Sequence, residues 1–303
     1  MNFAAIRKEM EKDSVEIEEK VFNEYYVPLA EHCSKIRNAK IGSDEDTFTV
    51  FIQGAQGSGK TVLTKVLNLI LASEGYNVAG CSIDDFYLSY ADRAVLAEKH
   101  PGNPFFAVRG TLGTHRHAYL YDMLQRIKQG EDFSIPHFDK SLHEGRGDIT
   151  DRVTAVKGRQ DFFLFEGWCL FTPAVATDVF LDVMAGDEYV HGLFNELDPS
   201  RKYYKAVLEY AEEYQKIWQL ADSMVILEAE DIKFITQWRL NQEKTTKKKS
   251  AGAGMTPAEV VEFVKPYIPI TELIAKRKSQ KSPGVSLSIG ENQRPKGPMK
   301  EIS

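Results

Sequence analysis

Cysteine is scarce in this chain. Its 303 residues hold only Cys33, Cys81 and Cys169, far apart and without the paired spacing of a zinc or redox motif. That excludes a disulfide scaffold and a thiolate metal centre, and it reads as reduced, mostly buried thiols. Long apolar runs are missing too, and nothing approaches the ~20 residues of a membrane-spanning helix. The first residues bring acids early (Glu9, Glu11, Asp13), without the apolar core of a secretory signal and unlike an acid-poor transit peptide. A cytoplasmic protein with no membrane partner is expected. An excess of positive charge is also lacking: net charge is −6, which argues against an extended basic surface and against nucleic acid as a partner.

What the chain does have is 43 % hydrophobic residues and enough length for one large α/β domain with a helical annex. Residues 47–61 run from an apolar strand into Gly54-Ala55-Gln56-Gly57-Ser58-Gly59-Lys60-Thr61, the G-x-x-x-x-G-K-T pattern of a P-loop. Its glycines let backbone N–H groups turn inward onto phosphates, and the positive end of the following helix adds to them. Lys60 reaches the β/γ-phosphates and the Thr61 hydroxyl ligates Mg²⁺. Leu63, Val66, Leu67, Ile70 and Leu71 then mark one apolar helix face, so strand, loop and helix come in the required order. Residues 54–61 with Val62 are the candidate ATP site.

Further along, the strand 77–83 runs into Asp84-Asp85-Phe86-Tyr87, and the strand Phe162–Phe165, apolar on both faces, ends in Glu166. Helices are expected around 14–37, 90–99, 115–130, 204–218 and from 231, a short strand at 153–156, another at 223–227, and a helix opened by Pro257. Segments 100–114 and 136–148 read as irregular and site-lining. Residues from 279 onward, rich in Ser, Pro, Gly and Lys, read as a disordered tail. Strands alternating with helices indicate a mainly parallel central sheet flanked by helices, with ligands beyond its carboxyl ends.

Asp84 and Glu166 fall at those ends. Phosphoryl transfer to an alcohol needs a carboxylate to take the hydroxyl proton and Mg²⁺ on the phosphate oxygens. Asp84 is the candidate base and Glu166 the candidate metal acid. An Asp-Asp pair at a strand end also commonly caps the next turn, a role that suits Asp85, and Glu166 could instead partner a loop arginine.

Gly54–Thr61, Ser82–Leu88, Arg109-Gly110 with Gly113-Thr114-His115, Asp139-Lys140-Ser141 with Gly145-Arg146-Gly147-Asp148, Leu164–Trp168 and Gln237–Glu243 follow one family's order and spacing. Over residues 20–278 the chain resembles plant- and fungal-type D-glycerate 3-kinases. These are relatives of phosphoribulokinase, uridine kinase and bacterial pantothenate kinase, and the group includes yeast ATP-dependent kinase homologues. The resemblance implies a P-loop kinase fold at 46–278 behind an N-terminal helical extension (1–45), a lid over the nucleotide at about 239–255, and transfer of the ATP γ-phosphate to a small hydroxyl acceptor. It assigns Asp84 as base, Glu166 beside the metal and Arg239 to the phosphates. Arg109, His115, Asp139, Lys140 and Arg146 become the candidate acceptor site; a carboxylate acceptor needs such cations, since the planar Arg fork matches two oxygens. His115 could orient a hydroxyl or pack against the Gly-Thr turn, and Trp168 reads as a wall. Three departures stand out: Arg116 where the family has Asp, Leu170-Phe171 after the Glu-Gly-Trp block, and Lys247–Lys249 where lid arginines are expected. A nucleoside, pantothenate or polyol kinase and a non-catalytic ATP-binding regulator are the alternatives, with monomer or homodimer undecided.

Overall fold

The computed structural model describes residues 3–40, 46–249, 254–277 and 282–302. Among the described residues eight strands are assigned: β1 (Phe48–Gly54), β2 (Val78–Ser82), β3 (Phe133–Asp139), β4 (Asp148–Val156), β5 (Phe162–Gly167), β6 (Ser223–Ala229), β7 (Gly284–Ile289) and β8 (Pro295–Ile302). Six form one sheet in the order β2-β5-β1-β6-β7-β8, parallel except for β8, while β3 and β4 make a separate antiparallel hairpin.

Every residue of β1 and β5 is buried. A central parallel strand is covered on both faces, so a continuous run such as Phe162-Phe-Leu-Phe165 fits where an alternating one would not. Phe51 and Phe165, cross-strand neighbours, meet edge-on at 5.0 Å between ring centroids. Each buried ring of this kind is worth ~1.5–3 kcal/mol of transfer free energy.

Register sets the site. In the parallel pairing Glu166 lies level with Ile52 on one side and Ser82 on the other. The carboxyl ends of β1, β2 and β5 therefore deliver the P-loop, the Asp84 turn and Glu166 to one edge, as the topology of an open α/β sheet requires. Helix Lys60–Ser73 follows β1 and buries Leu63, Val66, Leu67, Ile70 and Leu71.

The N-terminal helices Phe3–Glu11 and Val27–Lys40 are not a detached annex. Ile6 and Met10 are fully buried in the common core, and Arg37 bonds Asp161 at 2.6 Å just ahead of β5.

Three expectations need correction. The segment read as a disordered tail forms β7 and β8: β7 pairs in parallel with β6, and Val285, Leu287 and Ile289 are buried in the core. Alternating small and apolar residues sealed the sheet despite the Ser/Pro/Gly/Lys composition. The segment 136–148, read as irregular, is largely the end of β3, the turn and the start of β4. Two helices, Thr177–Ala185 and Glu188–Leu197, fill a stretch that the sequence reading left without an element. The Ser/Gly-rich part of the expected lid, 250–253, lies outside the described residues.

Candidate active site

Between β1 and the helix after it the loop turns through left-handed backbone at Gly57 (φ 76°) and Gly59 (φ 89°), which glycine adopts at no steric cost. A side chain at Gly57 would also collide with Trp238, whose Cβ lies 2.7 Å from where the new Cβ would stand. The helix Phe234–Lys249, which includes Trp238, thus closes against one flank of the loop. The turn between β7 and β8 holds the same place: Gln293 Nε2 donates to the Gly57 carbonyl at 2.6 Å and Trp238 Nε1 to the Glu291 carbonyl at 2.9 Å.

Thr61 Oγ1 donates to Glu166 Oε1 at 2.9 Å. The other carboxylate oxygen, Oε2, is buried without a partner, as are Gln56 Oε1 and Ser58 Oγ on the loop. Buried polar atoms normally find partners, so the unpartnered Glu166 oxygen beside Thr61 marks a place suited to a polar ligand. Burial raises the Glu166 carboxyl above its ordinary range, partly opposed by the Lys60 charge. Mg²⁺ fits this donor set. Among the described residues no group of three or more His, Cys, Asp or Glu could hold a metal.

Asp84 and Asp85 divide as their positions dictate. In the short 3₁₀ turn Ile83–Phe86 the Ser82 hydroxyl accepts from Asp84 N and the Asp85 carboxylate accepts from Ser82 N at 3.2 Å, a reciprocal cap. Asp85 is thereby used by the backbone. Asp84 is free to face the site, where Tyr87 OH donates to Oδ1 at 2.8 Å and Lys140 Nζ to Oδ2 at 2.6 Å. Burial alone would raise its pKa, but Lys140, Lys60 and the Tyr87 hydroxyl together hold it at about 2.

Behind Asp84 runs an aromatic relay. His115, fully buried, stacks on the Tyr87 ring at 4.7 Å and shares a 2.9 Å hydrogen bond from Nδ1 with Tyr214 OH, while Nε2 has no partner. Burial lowers its pKa to about 4 against the pull of Asp84, so the ring is neutral. Tyr267 completes the wall: its hydroxyl donates to the Arg109 carbonyl at 3.3 Å, its ring meets Trp168 edge-on at 4.9 Å, and the charges of Asp84, Arg109 and Arg239 all act on it. Trp168 Nε1 donates to the Gly110 carbonyl at 2.8 Å, and the Trp168 carbonyl in turn accepts from Gln53 on β1 at 3.1 Å.

The remaining cations meet at the β3–β4 turn. Buried Arg93 donates to the Arg146 and Gly147 carbonyls (2.8 and 2.6 Å), and Arg109 Nη1 to the Gly145 carbonyl at 2.6 Å. Arg146 Nη1 donates to Tyr90 OH at 3.2 Å. Lys140 thus stands on Asp84, and Arg109 and Arg146 on the same hairpin turn. Asp139 is elsewhere engaged: its Oδ1 accepts from the Ser141 amide and hydroxyl, at 2.8 and 2.6 Å, which shapes the turn. Arg239 is held on the helix Phe234–Lys249 by Glu243 at 2.7 Å, whose other oxygen accepts from Met255 N. Arg116 turns its guanidinium over Tyr119, 5.0 Å from the ring centroid.

Sequence reasoning passed over Tyr214, Tyr267 and Arg93 as functional neighbours. The spacing Asp84-x-x-Tyr87, which on one turn brings hydroxyl to carboxylate, was a readable signal. The others come from distant segments, and no local pattern announces them.

Comparison with known proteins finds relatives of this chain. No family model matches the chain. It is 36 % identical over 228 residues to the uncharacterized kinase mug58 of Schizosaccharomyces pombe, covering 73 % of this chain and 79 % of that protein. It is 30 % identical over 256 residues to the chloroplastic D-glycerate 3-kinase of Arabidopsis thaliana; that match covers 81 % of this chain but only 52 % of the plant protein. Among solved structures, D-glycerate 3-kinase from Cryptococcus neoformans superposes with a TM-score of 0.82 at 27 % identity, over 91 % of this chain and 99 % of the other. The P-loop, the kinase relatives and the shared architecture lead to one assignment: the chain belongs to the D-glycerate 3-kinase family of ATP-dependent P-loop kinases.

Proposed function

We propose that this kinase transfers the γ-phosphoryl group of Mg·ATP to a hydroxyl of D-glycerate. The observation that carries the reading is the meeting of Thr61–Glu166 at the P-loop with Asp84 and Lys140, two strand ends and a hairpin away, at one edge of the sheet. When bound, Mg²⁺ neutralises charge on the β- and γ-phosphate oxygens. Lys60 and the loop amides hold the phosphates, and Thr61 with Glu166 would hold the metal. Asp84 takes the acceptor proton, with Tyr87 and the neutral His115 fixing its direction. Lys140, hydrogen-bonded to Asp84, would stabilise the negative charge that moves from donor to acceptor. Arg109 and Arg146 supply the forked donors that a substrate carboxylate fits. A base of low pKa is no obstacle, since a loose phosphoryl transfer asks mainly for positioning and charge stabilisation.

D-glycerate is favoured because relatives bear that name and because Lys140 bonds the base while Arg109 and Arg146 meet at the hairpin turn that carries Lys140. The test is ADP formation by the purified protein with D-glycerate, glycerol, a nucleoside and pantothenate. D-glycerate should be preferred over glycerol by at least ~10²-fold in kcat/KM, because an uncharged acceptor offers no carboxylate to the guanidinium forks. Turnover of a nucleoside or pantothenate without turnover of D-glycerate rejects the substrate and leaves the nucleotide half standing.

A further inference from the structure

Gly57 and Gly59 of the P-loop stand in left-handed backbone, and glycine moves readily between the left- and right-handed regions. A loop so free must be held in its curled form before its N–H groups can converge on a phosphate. One contact within it contributes: Ser58 N donates to the Ala55 carbonyl at 3.2 Å, closing a turn with left-handed Gly57 at its third position. Across the trans peptide the Gly57 carbonyl points the opposite way, out of the turn. There it accepts from Gln293 Nε2 at 2.6 Å. The Gly57–Ser58 peptide is thus fixed at both ends, from within by Ala55 and from without by a residue 236 positions along the chain.

Gln293 is itself in left-handed backbone (φ 61°), where glycine is at ease and a long side chain is not. The β7–β8 turn holds it there: Gln293 N donates to the Gly290 carbonyl and Gly290 N to the Arg294 carbonyl, each at 2.9 Å. That turn is braced by Trp238 Nε1 on the Glu291 carbonyl at 2.9 Å and by the Arg294–Glu18 ion pair at 2.7 Å. An unfavourable backbone conformation kept in place by its surroundings points to a use for the side chain it presents. We infer that Gln293 is a positioning residue for phosphate binding, latching the Gly57 carbonyl outward so that the P-loop is curled before the nucleotide arrives. The inference rests on the P-loop reading above. A flip of the Gly57–Ser58 peptide would lose both bonds and set the Gly57 carbonyl against that of Ala55. Removing the latch therefore lowers the fraction of loops ready to bind, and the affinity falls by that fraction.

Calorimetry with Mg·ATP and with Mg·tripolyphosphate on the full chain tests the latch. Gln293→Gly keeps the left-handed turn at no steric cost and removes the amide. Gln293→Asn also tolerates that backbone but is one methylene too short to reach the loop. Each variant should bind both ligands at least about tenfold more weakly, at unchanged stoichiometry. A folding defect would instead lower the stoichiometry and leave the affinity of the remaining sites intact. Unchanged affinity in either variant, or a lowered stoichiometry alone, overturns the inference. So does a loss confined to ATP, which would make Gln293 a contact of the nucleoside. If the wild-type protein binds neither ligand, the P-loop reading falls and the latch with it.

Discussion

At the scale of single residues, Asp84 and Glu166 are both acids at strand ends, yet their surroundings push them apart. Asp84 is ionised down to very low pH because Lys140 sits on it, whereas burial drives Glu166 upward beside Thr61. Opposed environments of this kind are how two similar side chains take different roles. Asp84→Asn keeps the shape and one oxygen while removing the proton acceptor. It should leave Mg·ATP affinity within a few-fold and lower kcat by ~10²–10⁴-fold. Glu166→Gln should instead raise the Mg²⁺ concentration needed for half-maximal rate. Identical Mg²⁺ titration curves for the two variants would show that the roles are not divided this way.

At the scale of elements, the parts whose chemistry is local are legible in the sequence. The P-loop, the Asp84 turn and the Phe162–Phe165 strand can be read directly, because strand periodicity, glycine placement and capping depend on neighbouring residues. The cap role of Asp85 was legible for the same reason. What escaped depends on distant partners: composition labelled residues 279–303 a tail, but Val285 and Leu287 find β6, and only that pairing makes them a strand. The hairpin β3–β4 escaped likewise, since its turn is tied by Arg93 and Arg109 from outside. The missed β7–β8 hairpin also supplies Gln293 to Gly57 and the carbonyl that receives Trp238. A chain ending at Ser282 should therefore lose both the cover of the apolar edge of β6 and the support of the P-loop. An uncovered apolar edge strand invites pairing between molecules. Size-exclusion chromatography should find this chain aggregated; a monodisperse truncation that still binds ATP would show that the hairpin is dispensable.

On the scale of the whole molecule, the buried site leaves a signature in stability against pH. His115 is neutral in the folded protein with a pKa of about 4, because burial disfavours its charged form more than Asp84 favours it. In the unfolded chain the same imidazole titrates near ~6.5. Between those values the unfolded state binds the extra proton, so stability is intact above about pH 6.5 and falls as the pH drops toward about 4, by roughly 3 kcal/mol when complete. Asp84 acts in a different window: its folded pKa is depressed to about 2, so its stabilising share persists above ~4 and is lost only between about pH 4 and 2. His32 and His117, also lowered by burial, tilt the curve in the same sense as His115, and Glu166, raised by burial, tilts it the other way. The total slope therefore mixes several groups, and a difference between two proteins isolates one. Denaturant unfolding of wild type and His115→Gln at pH 7.0 and at pH 5.0 should show the wild type losing more stability on acidification than the variant, whatever the variant's stability at pH 7.0. Parallel losses in the two proteins would mean that His115 is protonated alike in the folded and unfolded states, and the neutral ring stacked on Tyr87 behind the base would have to be abandoned.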